Sequence, residues 1–138
     1  MKTSSIIENN LLKEKVFCRR IEPGFTAFAL PKRGFRKKYA VIATNFGSID
    51  SEFSLPDSGE RIKVPDGVAH FLEHKLFEYE NGNVMDDFAR LGASCNAFTN
   101  FTNTAYLFSA TDNFKEGLKL LFNFVQDPYF TPESVERE

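Results

Sequence analysis

Both histidines of this 138-residue chain fall in one short stretch, Gly67–Glu78, which reads GVAHFLEHKLFE and places Glu73 between them. On an α-helix each residue turns about 100°. With His70 as origin, His74 stands at about +40° and Glu73 at about −60°, so all three project from one face within about 100°. Two imidazoles at i and i+4 can share one tetrahedral zinc ion through their ring nitrogens. Glu73 then sits beside the open position where a water would bind. The order is the reverse of the commoner HExxH arrangement. The chemistry on offer is hydrolysis: zinc lowers the pKa of its water toward about 7 and polarises a carbonyl. The bland alternative is two surface histidines on a solvated helix. Against it, Val68, Ala69, Phe71, Leu72, Leu76 and Phe77 make the rest of the stretch apolar. A largely buried helix is therefore expected, in which imidazoles and a carboxylate need a reason to be present.

The surrounding pattern indicates what positions these residues. Val16–Ile21 and Phe25–Leu30 carry strand-type residues punctuated by Glu22-Pro23-Gly24, a hairpin signal. Tyr39–Phe46, YAVIATNF, is the clearest buried strand, and residues 47–65 read as loop. Asp66 is the expected N-cap of a helix running to about Tyr79, and a second helix spans about Val84–Leu91 before Gly92. Ser94–Phe98 and Thr104–Ser109 read as strands. Asn113–Val125 repeats apolar residues at 114, 118, 121, 122 and 125, an amphipathic helix. Thr131-Pro132-Glu133 opens a further helix with Pro at its first position. That helix begins shortly before Glu138, the last residue, so a piece of a longer protein is expected, with Met1 as the native start. The fold class implied is α+β, helices packed on one face of a mainly antiparallel sheet. Residues 1–14 read as a polar arm, and 15–138 as the body.

Composition bounds the remaining classes. The hydrophobic fraction is 42% and the charged fraction 26%, an ordinary globular mix that excludes general disorder. With 17 basic and 19 acidic residues the balance is not that of a nucleic-acid binder. The basic run from Lys32 to Lys38 reads as a solvated connection, since no second basic patch joins it. No apolar run approaches the roughly 18 residues of a membrane span. The opening residues lack the apolar core and cleavage site of a secretory signal. Cys18 and Cys95 form no CxxC pair, so a cytoplasmic, reduced chain is expected. Cys95 reads as a small buried filler more readily than as a reactive thiol. Sixteen Phe and no Trp assign most of the aromatic mass to packing.

The stretch PDGVAHFLEHKLFE resembles the zinc motif of the pitrilysin and insulin-degrading-enzyme family of inverted-motif metallopeptidases, which includes the mitochondrial processing peptidases. Its wording most resembles the bacterial processing-protease-like branch. The likeness extends to GASCNAFTNFTNTAYLF at 92–108 and FVQDPYFTPESVERE at 124–138, and covers essentially all of the chain after the arm. The resemblance implies that His70 and His74 are zinc ligands and Glu73 the general base. It implies that Asn96 and Ala97 lie on a strand beside the metal, where an extended peptide substrate adds by main-chain hydrogen bonds; from the residues alone, Ser94–Phe98 is a plain half-buried strand. It implies a third ligand, a glutamate about 70 to 77 residues beyond His74 and so past Glu138. Glu138 matches a glutamate two helical turns before that ligand, where it would contact a ligand and not the ion. The expectation is thus the N-terminal part of a zinc endopeptidase catalytic domain, inactive by itself, whose complete form pairs with a homologous domain or subunit. A second reading is a non-catalytic or structural partner subunit of such a complex, although such partners typically lose the motif that this chain keeps. A third, a structural zinc domain, needs four closed protein ligands that the sequence does not supply.

Overall fold

The computed structural model describes residues 4–55, 57–80 and 82–138. It divides into two compact units, one ending at Phe35 and the other spanning Arg36–Glu138.

The first unit is an antiparallel meander of β1 (Ser4–Asn9), β2 (Glu14–Glu22) and β3 (Phe25–Ala29), in the order β1-β2-β3. The hairpin expected at 16–30 is β2–β3, closed through Gly24 at φ 81°, a left-handed conformation that glycine adopts without steric cost. The polar arm expected over 1–14 contains a strand, because Ser4–Asn9 pairs residue by residue with β2 from Ser4↔Arg19 to Asn9↔Glu14. Its alternation is too weakly apolar to read from sequence. Residues 1–3 of that arm lie outside the described residues.

The second unit is built on a sheet in the order β4-β10-β9, antiparallel throughout: β4 (Lys38–Thr44), β9 (Ser94–Thr99) and β10 (Thr104–Ala110). Every second residue of β10 (Tyr106, Phe108, Ala110) faces the core. Against that face pack Phe77, Val84 and Phe88 from α1 (Val68–Lys75) through α2 (Val84–Arg90), and Leu121 and Phe124 from α3 (Phe114–Gln126). Phe88, Phe108 and Leu121 are fully excluded from solvent. The α+β class with helices on an antiparallel sheet is the architecture observed.

Several local expectations change. Residues 47–65 contain a short hairpin, β5 (Glu52–Ser54) with β6 (Arg61–Lys63), each strand offering one inward apolar residue, Phe53 or Ile62. Asp66 does not cap α1. Gly67 does, at φ 88°, with no side-chain cap bond. The helix also ends at Lys75, not near Tyr79, and the chain turns through a two-residue pairing of β7 (Glu78–Tyr79) with β8 (Gly82–Asn83). In α3 the core includes the fully buried Leu121 and also Phe124, a position outside the apolar period at 114, 118, 121, 122 and 125. It stacks on Phe77 at a centroid distance of 5.3 Å and meets Tyr106 edge-on at 5.6 Å. The last helix, α4 (Pro132–Arg137), starts where expected, with Thr131 and Ser134 forming a reciprocal capping box.

Candidate metal and peptide site

Helix α1 carries the three motif residues, and its packing sets their different environments. Glu73 is inward and nearly buried, at 9% exposure. Its Oε2 accepts a hydrogen bond from Thr99 Oγ1 at 2.7 Å, reaching across to the end of β9. Thr99 lies opposite Thr104 on β10, their hydroxyl oxygens 3.3 Å apart, and Thr104 Oγ1 donates to the Phe46 carbonyl at 2.8 Å. A buried carboxylate needs such partners, since leaving it unpaired costs several kcal/mol. Thr99 was not singled out from sequence. The only signal for it was its place at the end of the strand that carries Asn96 and Ala97.

The histidines behave differently from expectation. Both are exposed, not buried among the apolar residues of their helix. Their rings meet edge to face with centroids 4.7 Å apart. His74 Nδ1 lies 2.6 Å from Glu138 Oε1. With the carboxylate as acceptor, Nδ1 carries the proton and Nε2 keeps its lone pair free. The structure thus brings Glu138 of the C-terminal end onto His74, although 64 residues separate them.

A cleft of about 350 Å³ opens beside this face, lined by Glu73, His74, Asn96, Ala97 and Glu138 among others. His70 is not part of its lining and joins the group through His74. Strand β9 is an edge of its sheet, and Asn96 Oδ1 accepts a hydrogen bond from the Ala97 N–H at 2.9 Å. On β10, burial, with the Glu73 charge adding, pushes the Tyr106 phenol well above its usual range, so it stays protonated. Burial also raises the Cys95 thiol on β9, the behaviour of a packed filler and not of an activated nucleophile.

A second unanticipated group lies behind the motif. Lys75 is completely buried. Its Nζ donates to the Ser134 carbonyl of α4 at 3.0 Å and pairs with Glu78. Glu78 also receives Arg137 Nη2 at 3.1 Å. The Lys75 hydrogen bond holds the Glu78 carboxyl below its ordinary value, against the opposing pull of burial. A lysine set in an apolar run with Glu three residues later was the sequence signal.

The residues present fit part of a zinc site. Two imidazole donors stand on successive turns of one helix face, with a carboxylate fixed beside them. Among the described residues no group of three His, Cys, Asp or Glu side chains is arranged to hold a metal. A catalytic zinc takes three protein ligands, and this donor set would supply two of them.

Comparison with known proteins places this arrangement. The chain is 52% identical over 132 residues to the uncharacterized zinc protease YmfH of Bacillus subtilis, covering 96% of this chain and 31% of that protein. The crystal structure of an M16-like peptidase from Alicyclobacillus acidocaldarius superposes with a TM-score of 0.83 at 37% identity, over 95% of this chain and 30% of that one. Pitrilysin shares the fold, with a TM-score of 0.71 at 17% identity over 99% of this chain and 15% of that one. The chain spans about a third of the length of the B. subtilis and A. acidocaldarius proteins. The sequence profile of the insulinase family matches residues 57–138, more than half of the chain and the whole of the site. On that match, the chain belongs to the insulinase family, peptidase family M16.

Proposed function

We propose that the chain is the N-terminal part of the catalytic domain of a zinc endopeptidase that cleaves peptides bound in extended form. The observation that carries this reading is the placement of Glu73. It is buried, held by Thr99 through one oxygen, and on the same helix face as two exposed imidazoles beside an edge strand. His70 and His74 would hold the ion, and the third protein ligand would come from chain beyond residue 138. When bound, zinc supplies an acidified water and a polarised carbonyl.

The chain's own residues supply the rest. Glu73 accepts the proton of the attacking water on the oxygen that Thr99 leaves free, and delivers it to the departing amine. Thr99 fixes the carboxylate so that this oxygen is already oriented. An extended peptide adds to the free edge of β9, and its carbonyl takes the Ala97 N–H from Asn96 Oδ1. Glu138 sets the ring orientation and tautomer of His74. With two metal donors in the chain, the 138 residues alone have no useful peptidase activity, and the complete protein pairs this half with a homologous domain or subunit. Both cysteines are free thiols, the state of a reducing compartment, and we place the protein in the cytoplasm. Among the described residues no helix is long and apolar enough to cross a membrane.

The test compares zinc stoichiometry and peptide hydrolysis for this chain and for a longer protein that contains it. In the longer protein, Glu73→Gln is expected to leave zinc content unchanged and to lower hydrolysis by about 10²–10⁴-fold. His70→Ala and His74→Ala should lose both. Full hydrolysis by Glu73→Gln would overturn the general-base assignment. Zinc absent from both proteins would transfer the weight to a non-catalytic partner subunit.

A further inference from the structure

We propose that Lys75 is a positioning residue that docks α4 onto α1 and thereby places the Glu138 carboxylate on His74. The inference rests on the reading of His74 as a metal donor, and adds to it a device that orients the donor.

A six-residue helix has little stability of its own, because nucleation costs more than one or two turns return. The capping box of Thr131 and Ser134 closes the start of α4 but fixes nothing about where the helix lies. Contacts to α1 supply that. Lys75, fully buried, places its ammonium against the Ser134 carbonyl in the first turn of α4. The same ammonium pairs with Glu78, which in turn receives Arg137 from the last turn. α4 is therefore held at both ends by one chain of charges that starts from the residue next to His74. Glu138 follows Arg137 directly, and its Oε1 lies 2.6 Å from His74 Nδ1.

The chemistry explains why a lysine stands in a buried place. An isolated buried ammonium is costly, and this one is kept by a carbonyl and a carboxylate that both belong to the α1–α4 contact. A leucine or methionine there would pack as well, but could not reach the Ser134 carbonyl or hold Glu78. The buried charge thus specifies one position of α4 and not merely a filled core. Any ligand carried on the continuation of α4 would be placed by the same contact.

The test reads the His74 tautomer by 15N NMR on the metal-free protein, at a pH where both rings are neutral. In the wild type the proton is expected on Nδ1, and Glu138→Ala should move the majority to Nε2. Lys75→Met, a change of similar volume, should shift His74 in the same direction, and the double variant should go no further than Glu138→Ala alone. Arg137→Ala, at an exposed end of the network, should give a partial shift and serves where Lys75→Met fails to fold. A wild-type tautomer in folded Lys75→Met, or in Arg137→Ala when the lysine variant does not fold, overturns the proposal.

Cobalt affinity of a longer protein that contains this chain, carrying the same substitutions, separates the two readings. With His74 as donor, loss of its oriented ring should weaken binding by about 10–100-fold. A wild-type longer protein, containing this chain, that binds neither cobalt nor zinc would sink the metal reading while leaving the tautomer result standing. Unchanged tautomer with normal wild-type metal binding would sink the role of Lys75 alone.

Discussion

The described residues form two three-stranded antiparallel sheets of similar length, and the motif residues gather at one of them. In β1-β2-β3 the apolar residues are spread over both faces. Ile6, Phe17 and Ala29 share one row of the register, and Cys18 and Phe28 the next, on the opposite face. No described residue up to Phe35 is buried. In β4-β10-β9 the large side chains of β10 alternate strictly, and three helices cover the face they share. Side chains reach fixed positions only where packing leaves them one rotamer. Glu73 and Lys75 are buried beside that covered face, whereas the first sheet has no comparable place for a charged group. Similar strand content thus gives either a frame for a site or an open ribbon, depending on whether the apolar residues fall on one face.

The largest expected effect tests that contrast directly. Phe124→Ala removes a ring that touches Phe77, Tyr106 and Phe88, and should cost about 3–5 kcal/mol. Phe28→Ala, at 64% exposure in the first sheet, should cost about 0.5 kcal/mol or less. Urea unfolding of both variants measures the difference. Equal losses would mean that the first sheet hides a core of its own.

A smaller effect sharpens the account of the covered face. A Cβ on Gly117 of α3 would stand 2.6 Å from Phe108 Cε2, closer than side chains pack. Alanine is favoured over glycine in a helix by about 1 kcal/mol. Phe108 has no space to yield, so Gly117→Ala should instead destabilise by about 1–3 kcal/mol. Adding Phe108→Leu should recover part of that loss in a double-mutant cycle, because the shorter side chain makes room. Simple additivity would show that the helix had moved away at no cost.

Much of this was legible beforehand, and the misses have physical causes. The i, i+4 spacing of His70 and His74 fixes their common helix face whatever the tertiary structure does. β10 and α4 were readable because their signals are strong, alternating aromatics in one and Thr-Pro at the N-terminus in the other. The burial of α1 was misjudged, since apolar neighbours on one side leave the opposite side free for exposed imidazoles. β1, β5 and β6 escaped because pairing, not periodicity, makes them strands. Phe124 falls outside the helical period that its neighbours Phe122 and Val125 satisfy. Thr99 and Lys75 escaped for a different reason. Thr99 bonds Glu73 and Lys75 bonds the Ser134 carbonyl, each more than 20 residues away, and no local pattern carries those contacts; only the Lys75–Glu78 spacing was local. The hydrogen bond from Glu138 to His74 is equally long in range, and only the resemblance pointed to it.

The smallest effect concerns charge, and again divides the two regions. Lys15–Glu8 in the first sheet is a 2.7 Å pair with both side chains more than half exposed, so salt screens it and it adds about 0–1 kcal/mol. Glu78 sits between Lys75 and Arg137, and its carboxyl is held below the 4.5 of an unperturbed glutamate, chiefly by the Lys75 hydrogen bond. A carboxyl whose folded pKa is depressed stabilises the fold fully above the unfolded value. That contribution is lost as pH falls below 4.5 and through the folded value. Urea midpoints recorded from pH 6 down to pH 3 should therefore fall in the acid range by more in wild type than in Glu78→Gln, which has no proton to take up. Glu8→Gln should leave the wild-type slope nearly unchanged. Identical acid slopes for wild type and Glu78→Gln would show that α4 stays docked when Glu78 is neutral. The Ser134 carbonyl would then be the only part of the Lys75 contact that matters, and the charge relay to Arg137 would be incidental.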